Sequence, residues 1–195
     1  MSSTLKGELM ESNECFIMVD IETTGPVPGL YSMYELGACV VGEEEMQFMR
    51  KVTLLSKNSY DTETLVAMHV ANVDVLVKRK GASSPREVLS SFADWVRKVA
   101  GSKNPVFVAN NASFDWMFIA WYFKKFGIEN PFGHSALDMK AYFMGKTGCA
   151  WNDATLRNMA AHVGIPFATL PHRAIDDAII QSKIWSALIN KGKNV

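Results

Sequence analysis

The sequence predicts a single α/β domain. Three observations point there: an uninterrupted apolar run with β-branched residues near the start, two further apolar runs close behind it, and then an alternation of helix signatures with short strands. At 195 residues and 48% hydrophobic content the chain can bury one sizeable core and requires no second domain. Residues 1–14 read as a polar N-terminal extension, 15–190 as the domain and 191–195 as a tail. The extension lacks the apolar centre of a secretory signal and no run approaches a membrane span, so a cytoplasmic address without a membrane partner is expected.

Cys15 to Val19 is continuously apolar, as a strand covered on both faces should be. Asp20 and Glu22 follow at its end. Residues two apart on extended backbone share a side, so both carboxylates aim into one place while Ile21 faces away. Thr23, Thr24 and Gly25 open a turn, and Pro26 to Gly29 cannot continue the strand. Leu36–Val41 and Met46–Leu54 read as two more strands, antiparallel and joined by residues 42–45. Between Ser56 and Ala82 the periodicity is broken, with short helices around Leu65, Met68 and Val70 and around Val73, Leu76 and Val77. Ser84-Pro85-Arg86-Glu87 is a helix start, with Ser at the cap, Pro in the first turn and Glu three residues after the cap. Val88, Leu89, Phe92, Trp95, Val96 and Val99 then mark one face. A strand at Val106–Ala109 turns through Asn110, Asn111 and Ser113 into a helix from about Phe114 to Phe126, closed by Gly127, with Asp115 in its first turn. A strand near Ser135–Leu137 leads through Asp138 to a helix holding Tyr142 and Phe143. Another helix spans Thr155–Val163, and the last begins near Ala174.

With 20 Lys+Arg against 20 Asp+Glu the formal charge is zero, which argues against gripping long duplex nucleic acid by an overall field. A short or single-stranded ligand held locally is compatible. Cys15, Cys39 and Cys149 are odd in number and lack CxxC spacing, so neither a disulfide framework nor a zinc ribbon is indicated and they read as buried thiols. The chemistry lies in the carboxylates. Asp20, Glu22, Asp115 and Asp177 sit within apolar surroundings, with His172 nearby in HRAIDD. Gathering such groups requires a compensating charge. A pair of hard divalent cations supplies it, and two such ions are the apparatus for in-line displacement at phosphorus. Taken singly, each residue has an ordinary explanation: a solvated strand end for Asp20 and Glu22, a helix-dipole charge for Asp115 and Asp177, a loop histidine for His172. Their company favours the site.

FIMVDIETTG, NNASFDW and HRAIDD, in that order and spacing, resemble the three motifs of the DEDDh-type 3′-5′ exonucleases, the group of polymerase proofreading subunits, ribonuclease T and oligoribonuclease. The resemblance covers about Phe16 to Asn190. It implies a ribonuclease-H-like fold, a mixed five-stranded sheet with helices on both faces. It also implies that Asp20, Glu22, Asp115 and Asp177 hold two divalent cations, Mg2+ or Mn2+, that His172 is the general base, and that Ile21, Thr23 and Thr24 touch the 3′-terminal nucleotide. The expected activity is release of 5′-mononucleotides from single-stranded 3′ ends or short oligonucleotides, DNA or RNA. A homodimer is compatible with such relatives. The sequence departs from the pattern at Asn110, where histidine is frequent. Helical spacing alone would pair His172 with Asp176; the resemblance selects Asp177, because the family's histidine comes from a loop, which Pro171 supports. Two other readings are a catalytically silent nucleic-acid-binding or partner-docking module on the same fold, and an endonuclease. Tyr31, Phe114, Trp116 and Trp151 are candidate stacking surfaces, although Phe114 and Trp116 suit the core better. Lys140, Lys146, Arg157 and Arg173 are candidate phosphate contacts. His69, His134 and His162 read as ordinary histidines.

Overall fold

The structure is a computed structural model and describes residues 13–191. Of the expected N-terminal extension and C-terminal tail, only Asn13, Glu14 and Lys191 therefore lie within the described residues. Strands β1 (Glu14–Thr23), β2 (Met33–Val40) and β3 (Glu43–Val52) form an antiparallel meander. The β2–β3 connection is tighter than residues 42–45, because Gly42 turns at φ +83° and lets β3 resume at Glu43. The glutamates that suggested a loop lie on the solvated end of that strand; Glu44 accepts a hydrogen bond from Ser182 Oγ at 2.8 Å.

The sheet is completed by β4 (Ala82–Ser83), β5 (Asn104–Ala109) and β6 (Ala136–Asp138), in the order β4-β3-β2-β1-β5-β6. Pairings β1–β5, β5–β6 and β3–β4 are parallel, so the sheet is mixed, as expected. It has six strands rather than five. The addition is a two-residue edge just before the Ser84 cap, too short to carry any periodicity.

Seven helices follow among the described residues: α1 (Thr62–Ala67), α2 (Val73–Val77), α3 (Pro85–Ala100), α4 (Ala112–Phe126), α5 (Met139–Thr147), α6 (Leu156–Val163) and α7 (Ala174–Asn190). The Ser84–Glu87 capping box starts α3, and Gly127 ends α4 in the left-handed conformation. Helix α4 begins at Ala112, before the expected Phe114. Asn111 turns the chain abruptly at φ +63°, and the Asp138 carboxylate accepts the Ala112 N–H.

Alternation along β1 divides the core in two. Ile17, Val19 and Ile21 join the layer under α3 and α4, with Phe92, Phe107 and Phe123; Met18 joins the layer under α5–α7, with Met139, Met159 and Trp185. Asp20 and Glu22 share the parity of Met18, so they face the α7 layer. The same alternation on β2 puts Glu35 and Gly37 on that face, with Cys39. Gly37 allows α7 to sit directly on the sheet: a Cβ there would lie 2.3 Å from the Ala174 carbonyl carbon and the Ile175 nitrogen. A smaller cluster of Tyr34, Leu65 and Leu76 fastens the α1–α2 segment beside the sheet. Cys15 and Cys39 are buried free thiols, while Cys149 is only half-buried. No described helix is long and apolar enough to cross a membrane.

Candidate active site

The carboxylates meet at the end of β1. Glu22 is buried and Asp20 half-buried, and the Gln181 amide of α7 donates to Asp20 Oδ1 at 2.8 Å. Asp115 is brought in by the left-handed turn at Asn111 that launches α4; its Oδ1 accepts the Ile21 N–H at 3.1 Å. Asp177, buried in the first turn of α7, arrives from the opposite end of the chain. Glu22, His172 and Asp177 each offer a ligand atom, and these lie within 4.8 Å of one another. Together the five residues line a cleft of about 250 Å³, walled by Thr64 of α1 and Met68 just beyond its end, by Asn110, Asn111 and Phe114, and by Leu170.

Burial and mutual repulsion hold these groups toward their neutral forms. Loss of hydration, then the Asp177 charge, pushes the Asp20 carboxyl up to about 8. Glu22 is pushed up to about 9 by burial and then by Asp20 and Asp177. Asp177 rises to about 6 for lack of hydration, against the pull of the His172 backbone amide. Asp115 is also raised, by burial and then Asp20. Arg79 does little to relieve Glu22 because its guanidinium is bonded to Glu35, a further buried acid directly across the β1–β2 ladder from Glu22. The other Glu35 oxygen accepts the Ala174 N–H at 3.2 Å, at the start of α7. Asp177 Oδ1 is buried with no hydrogen-bond partner. Oxygen donors that are crowded, dehydrated and in part unpartnered fit hard divalent cations.

The family model described as a Rv2179c-like 3′-5′ exoribonuclease domain matches residues 15–189. The chain belongs to this exonuclease family. A curated relative, the 3′-5′ DNA exonuclease Cap18 of Escherichia coli, is 35% identical over 179 residues, covering 91% of this chain and 92% of the relative. A PolC-type DNA polymerase III of Thermotoga petrophila is 25% identical over 193 residues, 94% of this chain but 12% of that protein. Among solved structures, the nuclease domain of 3′hExo, a DEDDh family member bound to rAMP, superposes with a TM-score of 0.72 at 15% identity, covering 91% of this chain and 92% of that one. Cell-death related nuclease 4 gives a TM-score of 0.70 at 18% identity over 93% of this chain and 66% of its own. These likenesses establish the ribonuclease-H-like fold of the DEDDh exonucleases, and the protein is a 3′-5′ exonuclease.

In this exonuclease Asp177 takes part in the cluster, whereas its neighbour Asp176 turns outward to pair with Arg173 at 2.9 Å. His172 stands on the loop before α7 with left-handed backbone, φ +54°. Ile21 and Thr23 line the cleft, with the Thr23 hydroxyl donating to the Gly25 carbonyl at 2.9 Å. Thr24 is placed differently from Thr23. Fully buried, it donates to the Ser59 carbonyl and accepts from the Ser32 N–H, which makes it a strut between loops rather than part of the cleft wall. Asn110 gives its N–H to Gln181 Oε1 at 3.3 Å, and its own Oδ1 is buried and unpartnered. Of the aromatic candidates, Phe114 reaches the cleft; Trp116 packs edge-on to Phe107, Tyr31 lies against Gly25, and exposed Trp151 carries Lys140 over its ring at 4.0 Å. Sequence reasoning missed Glu35, Arg79 and Gln181. Helical spacing placed Gln181 four residues after Asp177, the one signal that could have found it.

Proposed function

We propose that this exonuclease removes 5′-mononucleotides from single-stranded 3′ ends or short oligonucleotides with two divalent cations, Mg2+ or Mn2+, held by Asp20, Glu22, Asp115 and Asp177, and with His172 as general base. The observation that carries this is the convergence, in one cleft, of four carboxylates that burial and mutual repulsion push toward their neutral forms. When bound, the ions neutralise these carboxylates and stabilise the negative charge that develops on the phosphate oxygens. The protein's groups do the rest. Gln181 orients Asp20, and the Ile21 N–H orients Asp115, so two carboxylates are fixed before substrate arrives. His172, with a ring nitrogen within 4.8 Å of carboxylate oxygens of Glu22 and Asp177, would take the proton of the attacking water. Phe114 and Leu170 offer apolar surface to the terminal nucleoside, with Ile21 and Thr23 at the cleft floor.

The test uses matched single-stranded DNA and RNA labelled at the 5′ end, with Mg2+, Mn2+ or EDTA. A ladder shortening from the 3′ end is expected with either cation, absent in EDTA and absent when the 3′ hydroxyl is blocked. His172→Ala should slow it by about 10²–10⁴-fold, the worth of a positioned general base. Shortening that persists in EDTA, or a His172→Ala variant at the wild-type rate, would overturn the mechanism. The DNA and RNA arms decide the sugar, for which the family description and the name of the E. coli relative point in opposite directions.

A further inference from the structure

His69 lies outside the motifs, yet its ring meets the ring of His172 edge-on, with centroids 5.7 Å apart and planes inclined by 62°. The contact is built on unusual backbone. Among the described residues only His69, Asn111 and His172 have positive φ without being glycine, and Asn111 and His172 both border the cleft. The turn that holds His69 explains its conformation. After α1 the His69 N–H donates to the Val66 carbonyl at 3.1 Å and the Val70 N–H to the Leu65 carbonyl at 2.8 Å, the paired bonds of a Schellman ending. The residue at this position is left-handed, and glycine fills it best because a Cβ is strained there. Histidine tolerates such backbone better than bulkier residues but still less well than glycine. A histidine in a glycine position, exposed at the rim of an active site, is poor use of the turn unless the ring has work to do.

His172 supplies that work. Among the described residues no hydrogen bond reaches its imidazole. A general base normally has its second ring nitrogen held by a carboxylate or carbonyl, which fixes the ring against rotation. Here the loop from Leu170 to Arg173 carries the ring into the cleft, and the packing of His69 against it stands in place of that bond. Resting on the assignment of His172 as the base, we propose that His69 is a positioning residue: its ring edge limits the arc through which the His172 imidazole swings over the cleft. Helix α1 and the turn after it, which also supply Thr64 and Met68 to the cleft wall, are thereby coupled to the base, although they belong to none of the three motifs.

The experiment compares wild type, His69→Gly, His69→Phe and His172→Ala, reading Tm together with kcat and KM on a 5′-labelled oligonucleotide. His69→Gly relieves the backbone, so its Tm should rise by about 2–4 °C. Its kcat should fall on the order of tenfold, with KM changed less than about twofold, since a misplaced base harms the reaction and not binding. A purely structural role would not make the variant both more stable and slower. His69→Phe restores an edge without polar atoms; its kcat should stay within about threefold of wild type although its Tm drops. Wild-type kcat in His69→Gly, a loss confined to KM, or a His69→Phe variant as slow as His69→Gly would each overturn the proposal. His172→Ala keeps the two levels apart. If it runs at the wild-type rate the base assignment falls and this proposal with it, whereas a slow His172→Ala beside a fast His69→Gly sinks only the role of His69.

Discussion

Removing divalent ions should make the fold less stable as the pH rises from 5 to 8. Asp20, Glu22 and Asp177 have values near 8, 9 and 6 in the folded protein, against ordinary values of 3.8, 4.5 and 3.8. The folded protein thus binds protons that the unfolded chain has already released. A carboxyl raised in this way contributes stability below its unfolded value near 4, and the contribution is lost as the pH climbs toward the folded value. While the cluster holds one proton more than the unfolded chain, stability falls by about 1.4 kcal/mol per pH unit, or about 4 kcal/mol from pH 5 to pH 8. Protonating one carboxyl relieves its neighbours, so the contributions do not simply add. For a domain of this size the change corresponds to a drop in Tm of about 8–16 °C. Thermal melts in EDTA at pH 5, 6, 7 and 8 measure it. Saturating Mg2+ or Mn2+ should restore Tm at pH 8, because cations stabilise the ionised cluster. Asp20→Asn should flatten the EDTA profile. A Tm in EDTA that is constant or rising over this range, or one at pH 8 that ignores divalent ions, would refute the reasoning.

Gly37→Ala places a Cβ 2.3 Å from the backbone of Ala174 and Ile175, so it should destabilise by about 3 kcal/mol in denaturant melts and reduce turnover by lifting Asp177. Gln181→Leu keeps the volume but removes the donor to Asp20 and the acceptor for Asn110 N–H; calorimetric titration should show divalent-ion affinity falling about 10–100-fold.

What the sequence revealed and what it concealed follow from the range of the interactions. The parity of β1, the Ser84 capping box and the Gly127 terminator are local, and each was legible from a few adjacent residues. The metal-site candidates came from motif order, and the structure brings the chosen five residues to one cleft. Glu35 was not legible. It sits one residue before the apolar run that marked the second strand, and its partner Arg79 lies in the stretch where periodicity fails. The β4 edge depends on pairing with β3 and has no pattern of its own. The resemblance assigned Thr24 to the terminal nucleotide; the bonds of its hydroxyl to Ser32 and Ser59 are contacts that adjacent sequence does not announce. His69 looked ordinary because left-handed backbone at a helix end leaves no mark on a histidine.

Helix α7 brings Asp177 and Gln181 to carboxylates from the first strand, and the same helix fills the second core layer with Trp185 and Leu188. The cleft therefore gathers its donors only when the third motif packs against the first strand. A chain folded without α7 would lack Asp177 and the Gln181 amide that holds Asp20, so the same packing that closes the second core layer also assembles the acidic cleft.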